Sequence, residues 1–455
     1  MDPLLSAILV TLIIFALATM WRPPIAIAAI CCIYGFEQWA QAQSGFFGQY
    51  SAFLNYTSAA LVGIGLASAY ARGQNPLQNI PAITWVFTVL FGYAALSTLW
   101  SVNSDITWTV YINSIPYHIV FVGFTPLLLI EERDTRTAFV ATLFAGGVVC
   151  LLLFLGTQVG FREIQFDTLV VDARTGGYHQ AGSPLSIATL GGTTVLIAVL
   201  MNFSGIGQIW SVLRWGVVLL GLAVTIQSGS RGQLLAALLL LTILIGISKG
   251  GVKVRTMVFG SSTLIITGYA AVFFITYFGF ADRFDVTTFG EAYGDTRGEL
   301  VSGVFEYWSA ANPIAWFFGL GSSASWHLIS MYPHVIPIEI LFELGLFGLV
   351  VYLVAIILTA RSLIRLFRYM RMNMIERGVF ATMVAMVMFQ FLLTLKQGSL
   401  MRETYFFMFA VMVCRYELIV SVALPARLAK IQSYRTWQQW LWYQQTTANS
   451  TADLR

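Results

Sequence analysis

Residues 335–360 read VIPIEILFELGLFGLVVYLVAIILTA, and only Glu339 and Glu343 in that stretch carry charge. A run of this length and polarity crosses a hydrocarbon core of about 30 Å as a helix. Immediately after it come Arg361, Arg365, Arg368, Arg371 and Arg377. An apolar run that ends in a basic loop is the pattern of a transmembrane helix whose far end stays in the cytoplasm.

The same pattern recurs along the chain. Of its 455 residues, 58% are hydrophobic and 10% are charged, whereas soluble domains carry about 25% charged residues. Candidate spans lie near 4–20, 24–40, 52–70, 82–100, 108–130, 138–157, 184–202, 212–228, 231–249, 256–278, 335–360, 378–395 and 404–423. The first two are separated only by Arg22-Pro23-Pro24, so the expectation is an all-α polytopic membrane protein of about 12 to 13 transmembrane helices. Residues 1–424 form its membrane domain and 425–455 a cytoplasmic interfacial tail, where Trp437, Trp440, Leu441 and Tyr443 read first as an ordinary aromatic anchor and also suit an interfacial amphipathic helix. The start, Met1-Asp2-Pro3, reads as the beginning of a first helix and lacks the basic region of a cleaved signal.

The basic loops orient the chain. Lys249, Lys253 and Arg255, the arginines of 361–377, and Arg427, Lys430 and Arg435 all belong on the cytoplasmic side. Residues 279–333 then form a large outer loop, acidic through Asp282, Asp285, Glu291, Asp295, Glu299 and Glu306, with aromatics that suggest short helices at the membrane surface. A second outer segment, 158–183, holds Arg162, Arg174 and His179.

The net charge of +4 is spread over loops, so nucleic-acid binding is not expected. Cys31, Cys32, Cys150 and Cys414 lie in apolar stretches and read as packing residues, with no disulfide and no metal site. No Asp-x-Asp pair stands in an outer loop, and neither a P-loop nor a Gly-x-Ser-x-Gly elbow occurs.

Three places on the outer side carry residues suited to chemistry. Ser228-Gly229-Ser230-Arg231-Gly232 opens the helix at 231–249. A helix start presents unpaired N–H groups and partial positive charge, and Arg231 adds a planar donor fork, which together suit a phosphate. Arg231 opposes the helix dipole, so it does not serve helix stability. Arg297 lies in Gly294-Asp295-Thr296-Arg297-Gly298-Glu299, where a surface ion pair would be the plain alternative. His334, in Tyr332-Pro333-His334, precedes the 335–360 run and offers an imidazole able to accept a proton near neutral pH. Glu343 reads as a structural carboxylate that needs a partner. Arg174, Lys396 and Arg402 would extend a positive path for an anionic lipid, whereas His118, His179 and His327 have no interpretable surroundings.

His334 through Gly348, with its His…Glu343-Leu344-Gly345…Gly348 spacing, resembles the signature of the O-antigen ligase and polymerase superfamily, although Val335 stands where that family usually has asparagine. Ser230-Arg231-Gly232, Arg297 and Gly319-Leu320-Gly321 are similar to further elements of the same pattern. The resemblance covers roughly 160–360 and rests on the order, spacing and sidedness of short motifs. It implies a metal-independent, inverting glycosyltransferase of the GT-C type that needs no cofactor, in a bacterial inner membrane with its site on the periplasmic side. Its donor would be an undecaprenyl-diphosphate-linked glycan. Its acceptor would be lipid A–core for a ligase, or another carrier-linked repeat for an O-antigen or exopolysaccharide polymerase. By the same resemblance Arg231 and Arg297 engage the diphosphate and His334 activates the acceptor; from the residues themselves, Ser230 and Gly232 let the backbone approach that ligand and Arg174 joins them as a substrate-binding cation. A lipid-linked glycan transporter is the reading from a different class; the absence of an internal repeat and the placement of the charges at one surface argue against it.

Overall fold

The computed structural model describes residues 3–50, 52–156, 169–171, 178–180, 183–203, 208–249, 300–329, 332–369 and 374–423. Within them the chain is an all-α polytopic membrane protein. Each expected span in these residues is helical over most of its length. Eight described helices are long and apolar enough to cross a membrane, and Pro184–Leu200 and Val212–Gln227 are shorter apolar ones. The span at 256–278 and the tail at 425–455 lie outside the described residues.

The first two spans are separate helices, Pro3–Trp21 and Ala26–Gln43. Pro23 and Pro24 cannot extend the first helix, and they form a one-turn 3-10 segment, Pro23–Ile25, preceded by an extended Arg22. The only strands among the described residues are Leu169–Val171 and Tyr178–Gln180, an antiparallel pair between residues 158 and 183 that puts Val170 opposite His179.

Pro184–Leu200 is the central helix, buried at every position from Ile187 to Leu200. It packs against Glu132–Gly156, Gln208–Gln227, Arg231–Lys249 and Met374–Thr394. In a membrane, close approach of helices depends on small residues. Gly191 and Gly221 face one another here: a Cβ on Gly221 would stand 3.0 Å from the Gly191 carbonyl oxygen.

Polar contacts gather at the two ends of the bundle. At the basic end Lys249 Nζ donates to Asn202 Oδ1 (2.8 Å), and Arg365 Nη1 lies 3.4 Å from Glu417 Oε1. Arg415 is buried there and donates to the carbonyls of Pro76 (2.6 Å), Leu127 (3.3 Å) and Leu129 (2.6 Å). The expected alternation of the chain brings all of these segments to one end, and the contacts agree with it.

The opposite end departs from a plain helical bundle. The run at 335–360 is part of a longer helix, Ile336–Tyr369, and it is broken at Gly345, where φ is 67°. The break frees carbonyls, and they are paired: Leu320 N–H donates to Phe342 O (3.0 Å) and Gly321 N–H to Glu343 O (2.9 Å). Gly319, Gly321 and Gly345 all have positive φ, a conformation open to residues without a Cβ. Side chains on Gly321 or Gly345 would strike the Ser101 backbone or the Phe317 carbonyl. The loop is also stitched to the helix pair below it. Ser101 Oγ and Thr107 Oγ1 donate to Ser322 O (2.9 and 2.8 Å), and Tyr93 Oη donates to Phe318 O (2.8 Å). Short helices do occur in this stretch, at residues 300–310, Pro313–Phe318 and Ala324–Ile329, with Trp316, Phe317 and Trp326 exposed.

Candidate functional site

Arg231 opens its helix directly after a tight turn. Gly229 takes a φ of 68°, and Ser228 Oγ donates to Thr225 O (2.6 Å) while accepting from Ser230 N–H (3.3 Å). The bond from Leu234 N–H to Ser230 O (3.4 Å) closes the first helical turn. The amides of residues 231–233 therefore precede the first i−4 bond of the helix. Ser230 is buried, and Arg231 and Gly232 are half-buried.

The same helix start is held to the loop that follows Met374–Thr394. Gln233 Nε2 donates to Gln397 Oε1 (2.6 Å), and Lys396 Nζ lies 3.5 Å from Gln233 Oε1. The Lys396 ammonium occupies the place that a Cβ on Gly232 would take. Gly398, at φ 84°, turns this loop, and Leu400 N–H then donates to both oxygens of Glu339 (3.2 Å each).

Glu339 belongs to the half-helix 336–344, which His334 precedes. His334 has a φ of 56°, a left-handed backbone that few residues other than glycine adopt, though histidine visits it more than most. Val335 O accepts from Ile338 and Glu339 N–H (3.0 Å each) and begins the helix, with Pro337 in its first turn, where no N–H is missed. One turn beyond Glu339, the buried Glu343 accepts from Ser323 N–H (2.7 Å), Ser325 N–H (3.3 Å) and Ser325 Oγ (2.5 Å). It thus caps Ala324–Ile329, which meets the need for a partner. Ser323 is itself left-handed, at φ 61°.

The half-helix therefore joins two loops: Glu343 fixes 319–325, and Glu339 fixes 395–404. Tyr332 sits between them, its ring 5.5 Å from that of Trp326. Burial, with the nearby Glu343 charge, pushes its phenol up to about 12, so it remains a neutral donor. Glu403 accepts from Phe406 N–H (3.2 Å), and burial raises its carboxyl to about 7. A carboxyl raised in the fold favours its protonated form, so its contribution to stability is present at low pH and is lost as pH rises from the unfolded value through about 7. Glu403→Gln should therefore gain melting temperature over wild type at pH 8 relative to pH 5. A pH-independent difference between the two would contradict this.

Sequence reasoning placed Ser230, Arg231, Gly232 and His334 on one face, and they do lie at one end of the bundle, linked through Gln233, Gln397, Leu400 and Glu339. Arg297 and Arg174 lie outside the described residues. Glu339, like Glu343 a carboxylate in an apolar run that needs a partner, finds it in Leu400 N–H, and Lys396, in sequence one cation of a positive path, lies against Gly232. The signals available were the i,i+4 spacing of two carboxylates in an apolar run and the Gly398 turn beside Lys396. His118, uninterpretable in sequence, is buried with its ring 4.1 Å from Phe91 and 6.4 Å from Phe407, and its Nδ1 is 3.0 Å from Ser114 O. It is a core residue.

Cys31, Cys32, Cys150 and Cys414 are buried as free thiols. Among the described residues no three His, Cys, Asp or Glu side chains gather as a metal site. Compared with known proteins, the chain matches no protein-family model and none of the curated sequences.

Proposed function

We propose that this chain is a membrane glycosyltransferase of the O-antigen ligase and polymerase type. It moves a glycan from an undecaprenyl diphosphate carrier to an acceptor hydroxyl on the periplasmic face of a bacterial inner membrane. The observation that carries this reading is the junction built by the half-helix 336–344. A left-handed His334 opens it, and its Glu339 holds the loop whose Lys396 lies against the start of the Arg231 helix. Left-handed backbone outside glycine is costly, and it is concentrated at functional sites. The glycine segments that carry the family resemblance, 319–321 and 345, interlock at the same junction.

In this reaction the acceptor oxygen attacks the anomeric carbon from the face opposite the leaving group. The bond from that carbon to the diphosphate oxygen breaks, and its electron pair departs with the diphosphate. The hydroxyl proton passes to His334 and from there to water. The leaving group is already a stable anion, so the main demand is stabilisation of charge as the bond breaks. Arg231, Arg297 and the helix start answer it without a metal. The acceptor is lipid A–core if the enzyme is a ligase, and a carrier-linked repeat if it is a polymerase. Purified protein given the donor and each acceptor separately distinguishes the two by which product lengthens.

The arginines supply the test of the donor site. Arg231→Lys keeps charge but loses the planar fork, and donor turnover should fall at least about tenfold. Arg297→Ala should weaken donor use in the same way. Turnover close to wild type in both variants, at equal expression, would leave these residues as surface charges and remove the proposed donor site.

A further inference from the structure

The start of the helix Arg231–Lys249 is met by a cation from a different part of the chain. Lys396 lies just beyond Met374–Thr394, and its outer methylenes and ammonium fill the volume beside Gly232 that any Cβ would claim. Gln233 guides the side chain there. Gln233 Oε1 stands 3.5 Å from its ammonium, and Gln233 Nε2 is bonded to the neighbouring Gln397. The backbone beneath it is fixed as well, since the N–H groups of Lys396 and Gln397 both donate to Leu393 O (2.9 and 2.8 Å).

Helix stability explains none of this. A glycine in the first turn forgoes helix propensity, and a lysine ammonium at a helix start opposes the dipole. The arrangement does bring two kinds of cation, from two segments, to one turn of backbone. Arg231 offers a planar fork, and Lys396 offers a compact charge with three rotatable donors. A single phosphate needs only one of these. A diphosphate presents two phosphoryl groups side by side, and the two cations together with the leading amides match that.

We propose that Lys396 is a binding residue for the diphosphate of the donor, and that Gly232 is glycine because the lysine side chain must pass over it. The inference rests on the reading of the Arg231 helix start as the donor's diphosphate site. Lys396 then shares the charge that develops on the leaving group with Arg231, and Gln233 sets its position.

The test uses full-length protein in detergent, with inorganic pyrophosphate as the probe and inhibition of transfer and donor KM as readouts. Lys396→Met should raise donor KM and weaken pyrophosphate inhibition, each about tenfold or more. Lys396→Arg should recover part of both. Gly232→Ala should shift them in the same direction as Lys396→Met and should add little in the Lys396→Met background, because both changes remove the same ammonium. The melting temperature of each variant is measured in parallel, and if Gly232→Ala does not fold, the methionine and arginine variants decide alone. Unchanged pyrophosphate inhibition in Lys396→Met, with loss in Arg231→Lys, would overturn the role of Lys396 and leave the helix-start site standing. Unchanged inhibition in both would overturn the site itself.

Discussion

His334→Gly should fold normally and lose glycan transfer. At φ 56° the histidine backbone sits where a Cβ is disfavoured by about 1 kcal/mol, and glycine has no such penalty. The glycine variant keeps this backbone without that strain, and its melting temperature is measured beside wild type so that a loss of activity is separated from unfolding. Removing a general base costs about 10²- to 10⁴-fold in rate. His334→Gln should lose activity to a similar extent, because its amide can hydrogen-bond the acceptor but cannot take the proton. Only neutral imidazole accepts a proton, so wild-type transfer should rise with pH, and that rise should be missing from any residual rate of the glutamine variant. A glutamine variant with a substantial rate and an unchanged pH profile would reduce His334 to a positioning role.

The second large effect lies at the other end of the bundle and concerns folding alone. Arg415 is 1% exposed and reaches two segments of chain: Nε donates to Leu129 O and Nη2 to Leu127 O in one, while Nη2 also donates to Pro76 O and Nη1 reaches toward Asn79 O at 3.4 Å in the other. Arg415→Met fills much of the same volume but leaves these carbonyls without their donor. Each buried unpaired group costs about 1–3 kcal/mol, so a loss of about 3–5 kcal/mol is expected. The variant should show a sharply lower melting temperature and a poor yield in detergent. Arg415→Lys should fall between the two, since one ammonium cannot reach all the carbonyls of both segments. A methionine variant that melts with wild type would show that these carbonyls are satisfied in another way.

The spans were legible because crossing a bilayer demands length and apolarity, which composition displays directly, as in 231–249 and 335–360. The separation of the first two helices was only weakly legible, and Pro23-Pro24 decided it by geometry that any sequence would obey. The break at Gly345 could not be read. Glycine in an apolar helix is common in membranes, and this one departs from helical geometry only because Leu320 and Gly321, distant in sequence, supply donors for the freed carbonyls. Glu343 could be identified as a carboxylate in need of a partner, but the partner, the Ser323–Ser325 turn, was set by tertiary contact. His334 was chosen for its chemistry and position. Its left-handed backbone is a separate observation that sequence does not contain. Lys396 looked peripheral because Gly232 and Gln233, the residues it meets, lie far from it in sequence.

The central claim is transfer chemistry at a carrier diphosphate, and one measurement addresses it most directly. Purified protein in liposomes is supplied with labelled undecaprenyl-diphosphate-linked glycan and a glycan acceptor in the presence of a metal chelator, and the fate of both halves of the donor is followed. The account predicts acceptor-dependent release of free carrier diphosphate, matched by glycan gained on the acceptor, in wild type and not in His334→Gln. Movement of intact carrier-linked glycan across the bilayer, with no release of carrier diphosphate on addition of either acceptor, would contradict it and identify a transporter.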